Sequence, residues 1–371
     1  MDFTYSEEQQ IIVDSLRRFV NAEYTFDRRR KTSREGCAFE RAIWSSFAEL
    51  GVLGLTIEAE YGGFSEGASS RLAVQRELGR GLVLEPIVPS AVVAAAVLGQ
   101  YGSDAQKRAW LPAIAAGEKI MTLAYLEPDS RYRPDTLQTA AVPGGDGYVL
   151  SGRKALAWHA EAADALLVSA RLDGSDEISI FIVPNDAQGV TLIGYPTMDG
   201  LRAADVTLDR VVVDTAARID GGLDALQHGI DHGIAAICAE AAGAMERLIE
   251  ITGEYLRTRQ QFGKPLGAFQ ALQHRMADML IQKELALSMA YVAAQALDDT
   301  DPSERARKLS AAKVMVAKAG RYVGQQAVQL HGGMGMTDEL EVGDYFKRLT
   351  MFDPLFGDSD HHIARYCNAM A

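Results

Sequence analysis

The residues of this chain whose types and spacing could do chemistry gather in its last third, in Arg259-Gln-Gln-Phe262-Gly263, Gln329-Leu-His-Gly332-Gly333-Met-Gly335 and Leu355-Phe356-Gly357-Asp358-Ser359-Asp360-His361-His362. A planar guanidinium suits paired, charge-assisted hydrogen bonds to two anionic oxygens. Adjacent glycines leave backbone N–H groups open to a ligand with no Cβ in the way. Taken singly, each feature has an ordinary explanation: Arg259 as one more exposed charge beside Arg257 and Lys264, Phe262 as a core aromatic, Gly332-Gly333 as a helix C-cap. Asp358 and Asp360 beside His361 and His362 suggest metal ligands. Adjacent histidines seldom reach one ion, however, and zinc sites usually show wider spacing. A helix cap made by Ser359 or Asp360 explains that stretch better, and no metal is expected.

These residues must be positioned by longer elements, and the chain divides by period into three blocks. Residues 1 to about 118 read as helical: Ser6-Glu-Glu-Gln9 is a capping-box pattern opening a run through Ile11, Ile12, Leu16 and Phe19. Further runs follow over Ala42 to Leu50 and Ser70 to Leu82, and Gly102-Ser103-Asp104-Ala105-Gln106 caps a helix carrying Trp110-Leu111-Pro112. From about 119 to 223 the pattern changes to short strands around turn residues, as in Thr139 to Val142 and Tyr148 to Leu150 across Pro143–Gly147. Ala165 to Ala170 and Ile178 to Val183, with Val190, Val206 and Val211 opening others, complete what reads as a small β-sandwich or barrel. From 224 to 371 helical spacing returns, in Leu272, Met276, Met279, Leu280 and Leu287 and again in Leu309, Ala312, Val316, Ala319 and Val323. A four-helix bundle is expected there. The fold class is therefore multidomain α+β, with a helical, a β and a second helical domain in that order.

Bulk composition narrows the function. The 371 residues are 48% apolar, ample for sizeable cores, and carry a formal charge of −13, which argues against a nucleic-acid surface. Arg28-Arg29-Arg30-Lys31 is a local basic run, read as a solvated helix face. Cys37, Cys238 and Cys367 lack metal or disulfide spacing and fit buried small residues in a reducing cytoplasm. The N-terminus has no secretory signal pattern, and the apolar run from Ala91 to Leu98 is far short of the ~20 residues that span a bilayer. The expected location is cytoplasmic, with no membrane partner.

The order of blocks, with Glu49-Leu-Gly-Val-Leu-Gly-Leu55, Glu60-Tyr-Gly-Gly63 and Gln106-Lys-Arg-Ala-Trp-Leu-Pro112 at matching spacing, resembles the acyl-CoA dehydrogenase family along the whole chain. That resemblance implies FAD, an acyl-CoA substrate and an electron-transfer flavoprotein as electron acceptor. It places Arg259 on the FAD pyrophosphate, Phe262 beside the nucleotide, Gln270 and Gln329 in hydrogen bonds to it, and Gly332 and Gly333 against the phosphates. In the family this bundle reaches the nucleotide held mainly by a neighbouring subunit.

Elsewhere the chain departs from the family pattern. The glutamate that removes the substrate's α-proton is here Phe356, and the family's alternative base position falls at Gly233-Ile234, with Asp231 and His232 out of phase. Asp358 and Asp360 are the nearest carboxylates, and Asp358 lies two residues past the base position. The family's Thr-Glu-Pro and Gly-Ser-Asp loop reads Leu126-Glu127-Pro128-Asp129-Ser130-Arg131-Tyr132-Arg133, and its Trp-Ile-Thr-Asn strand reads Leu156-Ala157-Trp158-His159. A flavin pocket filled by bulky side chains is the expected result, with Trp158 stacking from a shifted register as the less favoured option. With Tyr345-Phe-Lys-Arg-Leu-Thr350 running into Phe356 to His362, the tail resembles the small subunit of pimeloyl-CoA dehydrogenase-type enzymes. That narrower resemblance implies an auxiliary chain without a catalytic residue, working with a base-carrying large subunit. A self-sufficient homotetramer using Asp358 and a non-enzymatic scaffold are the alternatives.

Overall fold

The computed structural model describes residues 6–36 and 39–370. The first helices are α1 (Glu7–Glu23), α2 (Phe26–Arg34), α3 (Arg41–Glu49), α4 (Ala68–Arg80), α5 (Ala95–Tyr101) and α6 (Asp104–Ala115). Strands β1 (Met121–Ala124), β2 (Ala140–Gly144), β3 (Gly147–Trp158), β4 (Ala165–Leu172), β5 (Ile178–Pro184), β6 (Val190–Pro196), β7 (Arg202–Asp214) and β8 (Arg218–Ile219) follow. The long helix α7 (Gly222–Thr258) leads to a hairpin, β9 (Gln260–Gln261) and β10 (Lys264–Pro265), and then to α8 (Gln270–Ala296), α9 (Pro302–His331), α10 (Val342–Met351) and α11 (Ser359–Asn368). By contact the chain falls into two compact units: Met1–Arg30, Ala68–Val83 and Ile234–Ala371 form one, and Lys31–Gly67 with Leu84–Gly233 the other.

In the first unit, helix starts follow their caps. Ser6 accepts from the Gln9 N–H while Gln9 accepts from the Ser6 N–H, satisfying two donors that the first turn of α1 leaves orphaned. Asp301 caps α9, where Pro302 stands in the first turn, a position at which the missing N–H costs nothing. Helices α4 and α7 touch backbone to backbone: neither Gly79 beside Glu240 nor Gly243 beside Arg76 has room for a Cβ. Around that crossing the charges are paired, Arg348 with Glu240, Arg76 with Glu246 and Arg80 with Glu250.

The run Arg28 to Lys31 is a solvated face only in part, since Lys31 is exposed while Arg29 and Arg30 are engaged. Arg29 is 3% exposed and bonded to the Leu82 carbonyl at 2.7 Å and Asp344 at 3.2 Å, while Arg30 reaches the segment before α10. Among the cysteines, Cys238 is buried as expected and Cys367 is exposed; Cys37 lies outside the described residues.

In the second unit the strands hydrogen-bond as one mixed sheet in the order β6-β7-β3-β2-β4-β5-β8, with β1 parallel to β4. The β2–β3 and β4–β5 hairpins fall where turn residues and alternation place them. Sequence gave no sign of β1, whose four residues are all buried. A capping box of Ser103 and Gln106 opens α6, and the Gln106 amide also donates to the carbonyls of Ala216 and Arg218.

Candidate functional site

The hairpin after α7 is built to display its tip. Gln260 and Gln261 pair with Pro265 and Lys264, leaving Phe262 and Gly263 as a two-residue turn with φ of +53° and +79°. Positive φ at both central residues is the twist that suits a two-residue hairpin, and it favours Asn or Gly. Phenylalanine there costs about 1–2 kcal/mol of backbone strain. Nor does burial offset it, because Phe262 is 90% exposed, which rules out the ordinary reading as a core aromatic.

The polar candidates share this openness. Arg259, Gln270 and Gln329 are exposed, and their side chains form no hydrogen bond or ion pair among the described residues. Lys264, by contrast, lies over the Phe269 ring at 4.2 Å. Gln270 opens α8, whose N-cap Phe269 supplies no side-chain bond.

The end of α9 carries the second cluster. Gly332 is the C-cap, so that ordinary reading holds, and its φ of 59° with ψ of −140° lies where only glycine is comfortable. A Cβ added at Gly332 or Gly333 meets nothing within 4 Å, so open space borders this backbone. Gly335 is different: a Cβ there runs into the Val328 carbonyl at 2.7 Å, so this glycine serves packing. His331 is buried; its Nδ1 lies 2.8 Å from the Ala327 carbonyl and its ring stacks on Tyr255 at 4.3 Å. Burial lowers its pKa and keeps it neutral. Since the Arg259 N–H bonds the Tyr255 carbonyl, this stack ties the root of the hairpin to the turn at Gly332. An unengaged guanidinium, an exposed aromatic and open glycine backbone suit a nucleotide phosphate arriving from outside the chain.

The tail loop is locked rather than catalytic in form. The buried Lys313 ammonium donates to the carbonyls of Asp353 and Gly357 at 2.8 Å each, and burial pulls its pKa down to about 8. His362 Nε2 lies 3.0 Å from the Phe356 carbonyl, and burial with nearby cations pushes this imidazole down to about 2. Phe356 itself is half-buried with φ +54°. The helix cap is Asp358, whose carboxylate accepts the His361 N–H at 2.9 Å, and not Ser359 or Asp360. Among the described residues no group of carboxylates, histidines and cysteines could hold a metal. Asp231, near the alternative base position, is buried and accepts from Gln227 at 2.8 Å.

In the sheet unit, Glu127 is an anchor that sequence reasoning missed. Its carboxylate takes the N–H groups of Gln138 and Thr139 at 2.6 and 3.0 Å and the buried Lys154 ammonium at 2.7 Å, closing the loop that carries Arg131 to Arg133. These bonds hold Glu127 below the usual carboxylate range against the upward push of burial. No sequence signal reveals the pair, because sheet register brings Lys154 under the loop. Leu156 is 51% exposed with φ +53°, beside a bulge between Lys154 and Ala157 that precedes Trp158, the half-buried residue at the family's hydroxyl position. A bulge at this point re-aims the side chains that follow.

The helical, sheet and helical order recurs in known proteins. Models for the acyl-CoA dehydrogenase N-terminal, middle and C-terminal domains match residues 6–118, 122–211 and 220–370. Acyl-CoA dehydrogenase FadE27 of Mycobacterium tuberculosis is 29% identical over 100% of this chain and 99% of its own length. FadE12 of the same organism is 30% identical over 92% of this chain and 90% of its own. The crystal structure of the ChsE4-ChsE5 complex from M. tuberculosis superposes with a TM-score of 0.91 at 27% identity, covering 100% of this chain and 99% of the matched one. The chain belongs to the acyl-CoA dehydrogenase family, whose cofactor is FAD. No helix among the described residues is long and apolar enough to cross a membrane.

Proposed function

We propose that this chain is the auxiliary subunit of a heteromeric acyl-CoA dehydrogenase, completing the FAD site of a base-carrying partner. The observation that carries the reading is Phe262, strained at φ +53° and 90% exposed beside the unengaged Arg259. Exposed, with only an edge contact to Phe269 at 6.2 Å, the ring suits a nucleotide seated mainly on a neighbour. Arg259 binds the pyrophosphate, Gln270 and Gln329 orient the nucleotide, and the Gly332-Gly333 backbone meets the phosphates. FAD, when bound, supplies the hydride acceptor for oxidation of an acyl-CoA to its 2-enoyl form, and an electron-transfer flavoprotein takes the electrons onward.

This chain contributes no base. Phe356 has no lone pair to take a proton, and the Asp358 carboxylate is engaged as a cap, which weakens the self-sufficient alternative. The likeness to a chain from a complex of two differently named proteins supports the heteromeric form. The pimeloyl-CoA dehydrogenase small subunit remains the subtype that the tail resembles. Co-expression with a family homologue that keeps the glutamate tests the proposal: a yellow complex that oxidises acyl-CoA is expected, with this chain colourless alone. Turnover by this chain alone overturns it.

A further inference from the structure

We propose that Arg30 of α2 is a positioning residue for the nucleotide-facing turn at Gly332-Gly333, an inference that rests on the flavin reading above. The segment leaving α9 is Gly332-Gly333-Met334-Gly335-Met336, a 3-10 turn, followed by residues 337–341 and then α10. A glycine-rich turn has much backbone freedom and few side chains with which to hold itself. Met336 is 79% exposed and anchors nothing. The restraint comes from elsewhere in the chain.

Arg30 supplies it at the far end. One Nη donates to the Asp338 carbonyl, the other to the Leu340 carbonyl at 3.2 Å and to the Asp344 carboxylate at 2.9 Å, while the guanidinium face lies over the Phe26 ring at 4.2 Å. Arg29 takes the other Asp344 oxygen at 3.2 Å, so the first turn of α10 is gripped by two neighbouring cations. At the near end, the His331–Tyr255 stack and the tight packing of Gly335 fix the exit from α9. His331 and Gly335 bracket the Gly332-Gly333 backbone directly, and Arg30 fixes the course of the chain that continues from Gly335. The turn is thus held from both ends although a Cβ on its open side would meet nothing within 4 Å. A fork reading two carbonyls and a carboxylate sets where the segment runs, which a lone ion pair does not. Arg30 thereby acts on the nucleotide through the turn and does not touch it.

The test compares Arg30→Gln, Arg30→Lys and Arg259→Ala in the complex with its partner. Hydrogen exchange of the full chain and FAD titration followed by flavin fluorescence are the readouts. Arg30→Gln is expected to speed exchange of the amides in residues 332–341, leave those within α8 unchanged, and weaken FAD binding about tenfold, the size of one lost charge-assisted bond. Arg30→Lys, which keeps the charge but not the fork, is expected to fall between Arg30→Gln and the parent. If Arg30→Gln fails to fold, the Lys variant decides by the same two readouts. Faster exchange with unchanged FAD affinity overturns the proposal, as does no change in either. When Arg259→Ala weakens FAD and the Arg30 variants do not, the flavin reading stands and this inference falls. When none of the three weakens FAD, the flavin reading itself has failed.

Discussion

Arg259 and Phe262 stand out together, one a charge without a partner among the described residues and the other an aromatic 90% exposed. Arg259→Ala removes a charge-assisted contact worth about 1.5–3 kcal/mol, so FAD retention by the complex is expected to drop by roughly ten- to a hundredfold. Thermal stability of the chain is expected to stay put, since the guanidinium holds nothing among the described residues. Equal FAD affinity in parent and variant would mark it as a plain surface charge. Phe262→Gly separates fold from function in another way. Glycine accepts φ +53° at no cost, so the hairpin amides are expected to exchange more slowly, or no faster, while FAD binding weakens. A loosened hairpin with unaltered FAD affinity would show that the ring serves the hairpin.

Asp358 is the residue on which the alternative reading turns. Asparagine caps helices about as well as aspartate, whereas alanine loses about 1 kcal/mol of cap. Asp358→Asn is therefore expected to leave both stability and turnover of the complex within a few-fold, and Asp358→Ala to lower stability with little effect on turnover. Loss of a general base costs on the order of 10²–10⁴ in rate, so a collapse of turnover in the Asn variant would identify Asp358 as that base.

At the scale of elements, the tail loop gives a pH prediction. His362 is buried and uncharged, with a pKa near 2 in the fold against an ordinary value of 6.5 when unfolded. Between those values the unfolded chain binds the extra proton, so the stability tied to a neutral His362 is whole above about pH 6.5 and is lost as pH falls below it. His331 and His361 are lowered too and act in the same sense, so the comparison must be between parent and variant. His362→Gln is expected to lose less stability than the parent between pH 7 and pH 5, read from urea midpoints. Parallel curves would mean that His362 charges freely within the fold.

Elements were also the most legible level in the sequence. The capping box at Ser6, the cap at Ser103, the hairpin turns and the apolar spacing of α9 follow from local chemistry, and they reappear in the structure. What stayed hidden depends on partners distant in sequence. Arg29 and Arg30 looked like a solvated run because nothing in Arg-Arg-Arg-Lys reveals Asp344. Glu127 gives no hint of Lys154, and Ser359 and Asp360 are as good cap formers by type as Asp358, which makes the cap. Leu280 on α8 follows helical spacing yet is 47% exposed, because periodicity marks an apolar face without saying what covers it. Among the candidate site residues, the family resemblance singles out Arg259 and Gly332, but the exposure of Phe262 is a property of backbone conformation that no residue type announces.

For the molecule as a whole, the proposed auxiliary role implies an asymmetry between a contribution to a neighbour's nucleotide and an unused site of this chain's own. Leu126, Leu156 and Phe356 each replace a residue that the family uses at the flavin ring or the substrate, and Arg131 to Arg133 make the adjoining loop bulky and charged. One substitution could be a rebuilt site; three departures from the family pattern are what the proposed auxiliary role expects. Flavin absorbance against protein mass in the purified complex with the base-carrying partner tests this most directly. One FAD per heterodimer is the result the account predicts. Two FAD per heterodimer would contradict it, because this chain would then hold a working flavin site of its own.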